Sequence, residues 1–216
     1  MLEIPYWIEV HKILIKYKQL ILNLFIVAYV VGYSLISFSF LLYLKFPLIF
    51  SIISDLASSI GTISLILFLT TLMPGIFYRF KIFPLFGASL KLFRRQIGVL
   101  MFISALIHSF YLITVPAIMT SQFTLEFLTS REILGSLSLM ILFPVWLTSN
   151  NFSKAKLGRF WKIVQRLTYL ALAVIYFHVA FASEKWALVT MMVFILEISS
   201  WVKFKLFDKK SIESPK

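Results

Sequence analysis

Long apolar segments alternate with short polar segments along the whole chain. Six of the apolar segments are long enough to cross the hydrocarbon core of a bilayer as helices, which takes roughly 20 residues each. These segments are residues 19–43, 56–73, 97–116, 132–147, 163–182 and 186–204. The pattern predicts an all-α, polytopic membrane protein built as a bundle of six transmembrane helices.

The segments outside this bundle are short. Residues 1–18 form a tail in which apolar and basic positions mix, as in an amphipathic helix lying on a membrane surface. Residues 19–206 form the transmembrane domain, and residues 207–216 form a C-terminal tail. Residues 46–55 are expected to form a re-entrant or interfacial segment that precedes the second span. The first span is too long for a signal peptide and lacks a small-residue cleavage site, so we expect it to be a helix.

The basic residues predict the orientation of the bundle. Of the 21 Lys and Arg residues, all but Lys45, Arg131 and Lys185 fall in the two tails or in the segments after spans two and four. These positions share one side of a six-span protein. Cytoplasmic segments carry the excess of Lys and Arg, so both termini are expected in the cytoplasm.

Composition excludes several classes of function. Only 14% of the residues are charged and 60% are hydrophobic, which is too little polar surface for a soluble domain of this size. The net charge of +12 comes from basic residues in short segments between apolar spans, where membrane topology explains them, so no nucleic-acid partner is expected. The chain has no cysteine, which excludes disulfides, iron–sulfur clusters and covalent c-type haem. A metal would therefore depend on the three histidines or on carboxylates.

Two histidines lie inside predicted spans. His108 lies about 13 residues beyond Arg95, and His178 about 12 residues beyond Arg166, so both imidazoles lie roughly 18–20 Å from the basic side. Spans three and five run in the same direction. Imidazoles at one depth on two helices can ligate one haem iron from both faces. The alternative is that each histidine bonds a nearby serine or backbone carbonyl. Small residues would leave space for a macrocycle: Ser104, Ala105, Ala171 and Ala182.

Motifs around these histidines resemble a known family. They are RRQIG at 94–98 leading to His108, LMP at 72–74, Pro144 with LTS at 147–149, LGRFWK at 157–162, and RLTYL at 166–170 leading to His178. Together they resemble the ferric reductase-like transmembrane domain over residues 61–182. The most similar subgroup is the haem-binding membrane subunit of bacterial periplasmic methionine sulfoxide reductase systems.

The resemblance implies a b-type haem electron-transfer subunit with His108 and His178 as iron ligands. The electron donor would be a quinol or a cytosolic flavin reductase, and the acceptor an extracytoplasmic reductase subunit. The family usually has a histidine where this chain has Gln165, so one haem is expected and a second is doubtful. FMN or a quinone is a further candidate cofactor. Three arginines could hold a haem propionate, a flavin phosphate or lipid head groups: Arg94, Arg95 and Arg166.

Other interpretations remain open. The chain could be a haem-free transporter or assembly factor of the same fold, or it could reduce ferric or cupric ions directly. Glu197, in span six near mid-membrane, could relay a proton or be a protonated carboxyl bonded to Ser or Tyr. His11, in the N-terminal tail, is expected to be an interfacial residue rather than a ligand.

Overall fold

The computed structural model describes residues 5–120 and 128–208, and every regular element in these ranges is helical. The elements are α1 (Pro5–Lys16), α2 (Lys18–Lys45), α3 (Pro47–Phe80), α4 (Pro84–Ser109), α5 (Val115–Met119), α6 (Ser130–Leu147), α7 (Asn151–Leu157), α8 (Arg159–Ala180) and α9 (Glu184–Lys203). Within these ranges, six helical segments are long and apolar enough to cross a membrane. The predicted all-α fold with six such helices is confirmed.

The helix starts follow from local sequence. Pro47 and Pro84 occupy the first turns of α3 and α4, where the missing N–H costs no hydrogen bond and the fixed φ suits a helix. The start of α6 is a capping box. Glu132 N–H donates to Thr129 Oγ1 at 3.4 Å, and Thr129 N–H donates to Glu132 Oε2 at 2.8 Å. This cap fixes the end of α6 that contributes to the site described below.

Helix α3 differs from the prediction at both ends. The expectation of a separate re-entrant or interfacial piece over residues 46–55 is wrong, because α3 is continuous from Pro47 to Phe80. Its 34 residues extend about 51 Å, well beyond a hydrocarbon core of about 30 Å. Arg79, which was predicted to lie in a basic loop, is therefore in the last turn of α3 and is buried.

Helix α4 continues beyond Ser109 through a π-helical turn, Phe110–Thr114, into α5. Tyr111 in this turn is fully buried. Its hydroxyl donates to the Leu35 carbonyl at 3.0 Å, and its own carbonyl accepts from the Ser54 hydroxyl at 3.3 Å. The π turn therefore has hydrogen-bonding partners on both neighbouring helices, and it begins two residues after His108.

The helices pack in pairs around two apolar clusters. Helix α3 packs most extensively against α4, and α6 packs against α8. One cluster joins α3, α4, α6, α8 and α9; the other joins α2, α3, α4 and α5. We call the end of the bundle that carries Arg94, Arg95 and Arg166 the basic end, and the end toward which α4 and α8 carry His108 and His178 the histidine end. Which end faces the cytoplasm stays a prediction.

Candidate functional site

The two histidines of the spans line one cavity. His108 lies in the last turn of α4 and His178 in the last turn of α8, and both are partly buried. The cavity they share, here named the histidine cavity, has a volume of about 430 Å³, within the range typical of cofactor sites. The structure therefore brings together the two residues that the spacing predicted to lie at one depth.

Each imidazole is hydrogen-bonded through Nδ1 to a backbone carbonyl of the neighbouring helix. His108 Nδ1 lies 2.7 Å from the Ala57 oxygen on α3, and His178 Nδ1 lies 2.7 Å from the Arg131 oxygen on α6. A carbonyl can only accept, so Nδ1 must carry the proton in both rings. In the neutral imidazole this leaves the Nε2 lone pair available, the arrangement typical of metal-binding histidines.

The other walls of the histidine cavity are mainly apolar or hydroxylic, with one basic and one acidic residue, Arg131 and Glu132. Apolar side chains include Leu65, Phe68, Leu139, Leu142, Ile175 and Val179, and the hydroxyl groups come mainly from serines. Arg131 is the single Lys or Arg among the described residues that line it. Of the small residues singled out in the sequence, Ala105 and Ala182 line the cavity, whereas Ser104 and Ala171 are buried outside its lining.

Two histidine nitrogens are too few to hold a bare metal ion, but they suit an iron that is already bound by a porphyrin. In residues 5–120 and 128–208, no group of three or more His, Cys, Asp or Glu side chains could hold a bare metal ion. Two imidazoles can provide the axial positions of an iron whose equatorial ligands belong to a porphyrin. A mainly apolar cavity with two available Nε2 atoms fits a haem, and Arg131 is a cation with which a propionate could pair, although Glu132 also lines the cavity.

A second cavity lies at the basic end, with a volume of about 550 Å³. We call it the basic cavity. Its cationic side chains are Lys91, Arg94, Arg95, Lys154, Lys162 and Arg166, and no acidic residue or histidine is among the described residues lining it. The three arginines predicted to bind a cofactor are thus brought together here, apart from the histidine pair.

Gln165 lines the basic cavity, and it stands where the resemblance noted in the sequence leads us to expect a histidine. Its side-chain Nε2 donates to the Val145 carbonyl at 3.2 Å and to Thr148 Oγ1 at 3.1 Å. An amide nitrogen has no basic lone pair, and both of its hydrogens have partners at the end of α6. The residues of the basic cavity therefore do not fit a second histidine-ligated haem.

The two cavities adjoin. Met101 and Leu142 line both of them, so one layer of side chains separates a ligand in one cavity from a ligand in the other. On the basic side of this wall, Phe102 and Trp146 stack with ring centroids 5.0 Å apart. The arrangement can bring two flat redox groups close together across the middle of the bundle.

Glu197 does not face either cavity. It is buried and forms an ion pair with Arg79, and its Oε1 also accepts from the Trp201 indole at 3.1 Å. Arg79 Nε donates to the Ser200 hydroxyl at 2.7 Å, and its guanidinium lies 4.7 Å from the Trp201 ring centroid. The expectation of a protonated carboxyl bonded to Ser or Tyr is wrong, because Arg79 of α3 pairs with Glu197. The alternative, a proton relay, stays a prediction.

His11 lies away from both cavities. Its Nδ1 is 2.8 Å from the Ser89 hydroxyl on α4, and the nearby Trp7 ring packs on Phe86 with centroids 4.7 Å apart. The contacts attach α1 to the basic end of α4. His11 lines neither cavity, and its expected role as an interfacial residue stays a prediction.

Sequence reasoning missed three residues of the site. Arg131 was counted only as one of the few basic residues opposite the basic end. Gly61 and Gly135 lie against the His108 and His178 rings. A glycine inside an apolar span is a signal of close approach between helices, but it does not say which side chain approaches.

Comparison with known proteins identifies the family. Residues 60–176, more than half of the chain, match the ferric reductase like transmembrane component family. Proteins named protein-methionine-sulfoxide reductase heme-binding subunit MsrQ, from Brucella ovis, Brucella canis and Brucella suis, are each 36% identical over 106 residues. That stretch covers 46% of this chain and 46% of each relative, so the chain spans about half the length of the curated relatives it matches. No solved structure gives a significant match. The chain belongs to the family of ferric reductase like transmembrane components.

Proposed function

We propose that this protein is a b-type haem electron-transfer subunit of a bacterial inner membrane. His108 and His178 hold the haem iron through their Nε2 atoms, from α4 and α8. Electrons enter at the basic end, which faces the cytoplasm, and leave at the histidine end toward an extracytoplasmic acceptor. The observation that carries this proposal is the shared cavity in which both imidazoles have Nδ1 bonded to a carbonyl and Nε2 available.

The difference between the two cavities supports one haem per chain. The histidine cavity has two imidazoles, whereas the basic cavity has none and Gln165 takes the usual ligand position. The aromatic and cationic side chains of the basic cavity suit a flat anionic molecule instead. FMN fits this description, with Arg94, Arg95 and Arg166 available to its phosphate; a quinol would use the aromatic walls alone.

The chain's own residues orient the redox groups and exclude water. A bound haem would supply one-electron chemistry through its Fe(III)/Fe(II) couple. The two histidines fix its iron between α4 and α8, and the side chain of Arg131 offers a positive partner to a propionate. Met101 and Leu142 line both cavities and would separate a donor bound in the basic cavity from the haem.

The relatives suggest a partner. They are named as heme-binding subunits of a protein-methionine-sulfoxide reductase. By this likeness, the acceptor is the catalytic subunit of such a reductase, docked at the histidine end. The donor is a quinol or a cytosolic flavin reductase at the basic end.

The optical spectrum of the purified protein and of three variants tests the proposal. The wild-type protein should show a low-spin Soret band that sharpens and shifts on reduction with dithionite. His108→Ala and His178→Ala should lose that band or convert it to a high-spin one. Gln165→Ala is the matched control, because it alters the same helix as His178 but leaves both ligands, and it should keep the band.

A colourless wild-type protein, prepared with excess haem supplied, would rule out the cytochrome and favour a haem-free transporter or assembly factor. A haem protein that reduces ferric or cupric chelates without any partner would favour a metal-ion reductase. Either result would leave the six-helix fold intact.

A further inference from the structure

Both cavity histidines are hydrogen-bonded in the same local geometry. His108 reaches the carbonyl of Ala57, and its ring lies over Gly61 on the same helix, α3. His178 reaches the carbonyl of Arg131, and its ring lies over Gly135 on α6. In each pair the glycine follows the carbonyl residue by four positions. In an α-helix these are the two residues joined by a backbone hydrogen bond.

The missing side chain of each glycine leaves the space that the imidazole occupies. A Cβ at position 61 would lie 2.5 Å from His108 Nδ1 and 2.7 Å from its Cε1. A Cβ at position 135 would lie 2.9 Å from His178 Cε1 and 3.0 Å from its Nδ1. Such distances are far below van der Waals contact. An alanine at either position would push the ring away from the carbonyl it bonds.

This hydrogen bond matters to a bound iron in two ways. It fixes the ring orientation and the tautomer, and it makes Nε2 a stronger donor because the Nδ1 proton is partly shared with the carbonyl. A stronger donor stabilises the ferric state over the ferrous state. Losing the bond should therefore weaken ligation and raise the midpoint potential.

We propose that Gly61 and Gly135 are positioning residues that set the orientation and donor strength of the two iron ligands, each by opening a backbone carbonyl to the imidazole of the neighbouring helix. This inference rests on the proposed haem function for its redox consequence. The contact itself can be tested without haem.

The haem-independent test is a double-mutant cycle on the apoprotein in detergent, read as the melting temperature. Gly61→Ala should lower the melting temperature while His108 is present, because the new methyl group meets the ring. In a His108→Ala background the same change should be neutral or stabilising, since alanine favours a helix over glycine. Gly135→Ala should likewise lower the melting temperature when His178 is present, and be neutral or stabilising in a His178→Ala background. Equal effects in both backgrounds would overturn the proposal.

The haem-dependent test compares Gly61→Ala and Gly135→Ala with Gly87→Ala in haem-loaded protein. Gly87 is the matched control, because its added Cβ would meet only Phe77 at 3.5 Å, an ordinary contact. The two cavity variants should show a higher midpoint potential and a larger high-spin fraction in the ferric electron paramagnetic resonance spectrum. Gly87→Ala should match the wild type.

The results separate this inference from the function on which it rests. Wild-type protein that binds haem, with cavity variants indistinguishable from it in potential and spin state, would overturn the glycine role alone. Wild-type protein without haem would overturn both. A Gly→Ala variant that fails to fold, but folds again once its histidine is also replaced, supports the contact.

Discussion

At the scale of single residues, the chemistry depends on which atoms are left available after the backbone contacts are made. The carbonyls of Ala57 and Arg131 occupy Nδ1 of the two imidazoles, so Nε2 is the atom that can bind iron. Arg131 contributes twice, because its carbonyl bonds His178 and its side chain lines the same cavity. A residue with both contacts should influence the redox potential.

Arg131→Gln should lower the haem midpoint potential by tens of millivolts. A positive charge close to the iron favours the reduced state, and the substitution removes that charge while leaving the backbone carbonyl in place. Potentiometric titration of the purified protein measures the change. Lys45→Gln is the control, because Lys45 ends α2 and does not line the cavity. An unchanged or higher potential in Arg131→Gln would contradict the assigned role.

The sequence predicted the histidine pair but not its hydrogen-bonding partners. The depth of His108 and His178 follows from helical rise and from their distance to basic residues, and both quantities can be read from the chain. The backbone carbonyls that bond them belong to other helices, about 50 residues away along the sequence. A single sequence does not show which backbone carbonyl will face which imidazole.

At the scale of elements, a buried ion pair joins α3 to α9, which are far apart in the sequence. Arg79 at the end of α3 meets Glu197 on α9, and Trp201 and Ser200 complete the set of contacts. Charges in the interior are expensive to leave unpaired. The pair therefore favours the packing of α9 against α3 at the basic end.

Glu197→Met should lower the free energy of unfolding by about 3 kcal/mol, because it leaves the Arg79 guanidinium buried without its counter-charge. The double variant Arg79→Met/Glu197→Met should recover most of this loss, since no charge remains to be solvated. Unfolding in a detergent titration, followed by circular dichroism, measures both. A single variant as stable as the wild type would show that the pair contributes nothing.

The two errors in the sequence prediction of α3 have one cause. Hydropathy locates the stretch of a helix that lies in lipid, but it does not report helical residues beyond the bilayer. Residues 46–55 and Arg79 lie before and after residues 56–73, the stretch assigned to the second span, so they were expected in other structures. The continuous helix brings Arg79 within reach of Glu197, and no local signal in the sequence predicts that pairing.

At the scale of the whole molecule, the bundle holds two adjoining cavities of different character. The one at the histidine end has two imidazoles and mainly apolar walls, and the one at the basic end has cations and aromatic rings. Six spans could be predicted because each helix needs about 20 apolar residues in lipid. The cavities could not, since they arise from gaps between helices whose packing angles the hydropathy pattern leaves undefined.

The orientation of the bundle can be tested by cysteine labelling, because this sequence contains no cysteine. Lys156→Cys places a thiol at the basic end, and Lys185→Cys places one at the start of α9. A membrane-impermeant maleimide applied to intact cells, with the outer membrane permeabilised, should label only the second variant. After lysis both should react. Labelling of Lys156→Cys in intact cells would reverse the proposed orientation.

Haem stoichiometry tests the central claim most directly. The claim is that one iron is held by His108 and His178, while the basic cavity, with Gln165 in place of a histidine, holds no haem. Protein saturated with haem, freed of excess and assayed for both haem and polypeptide, should give a ratio of one with a low-spin ferric spectrum. A ratio near two would contradict the single site, and a ratio near zero would contradict the cytochrome altogether.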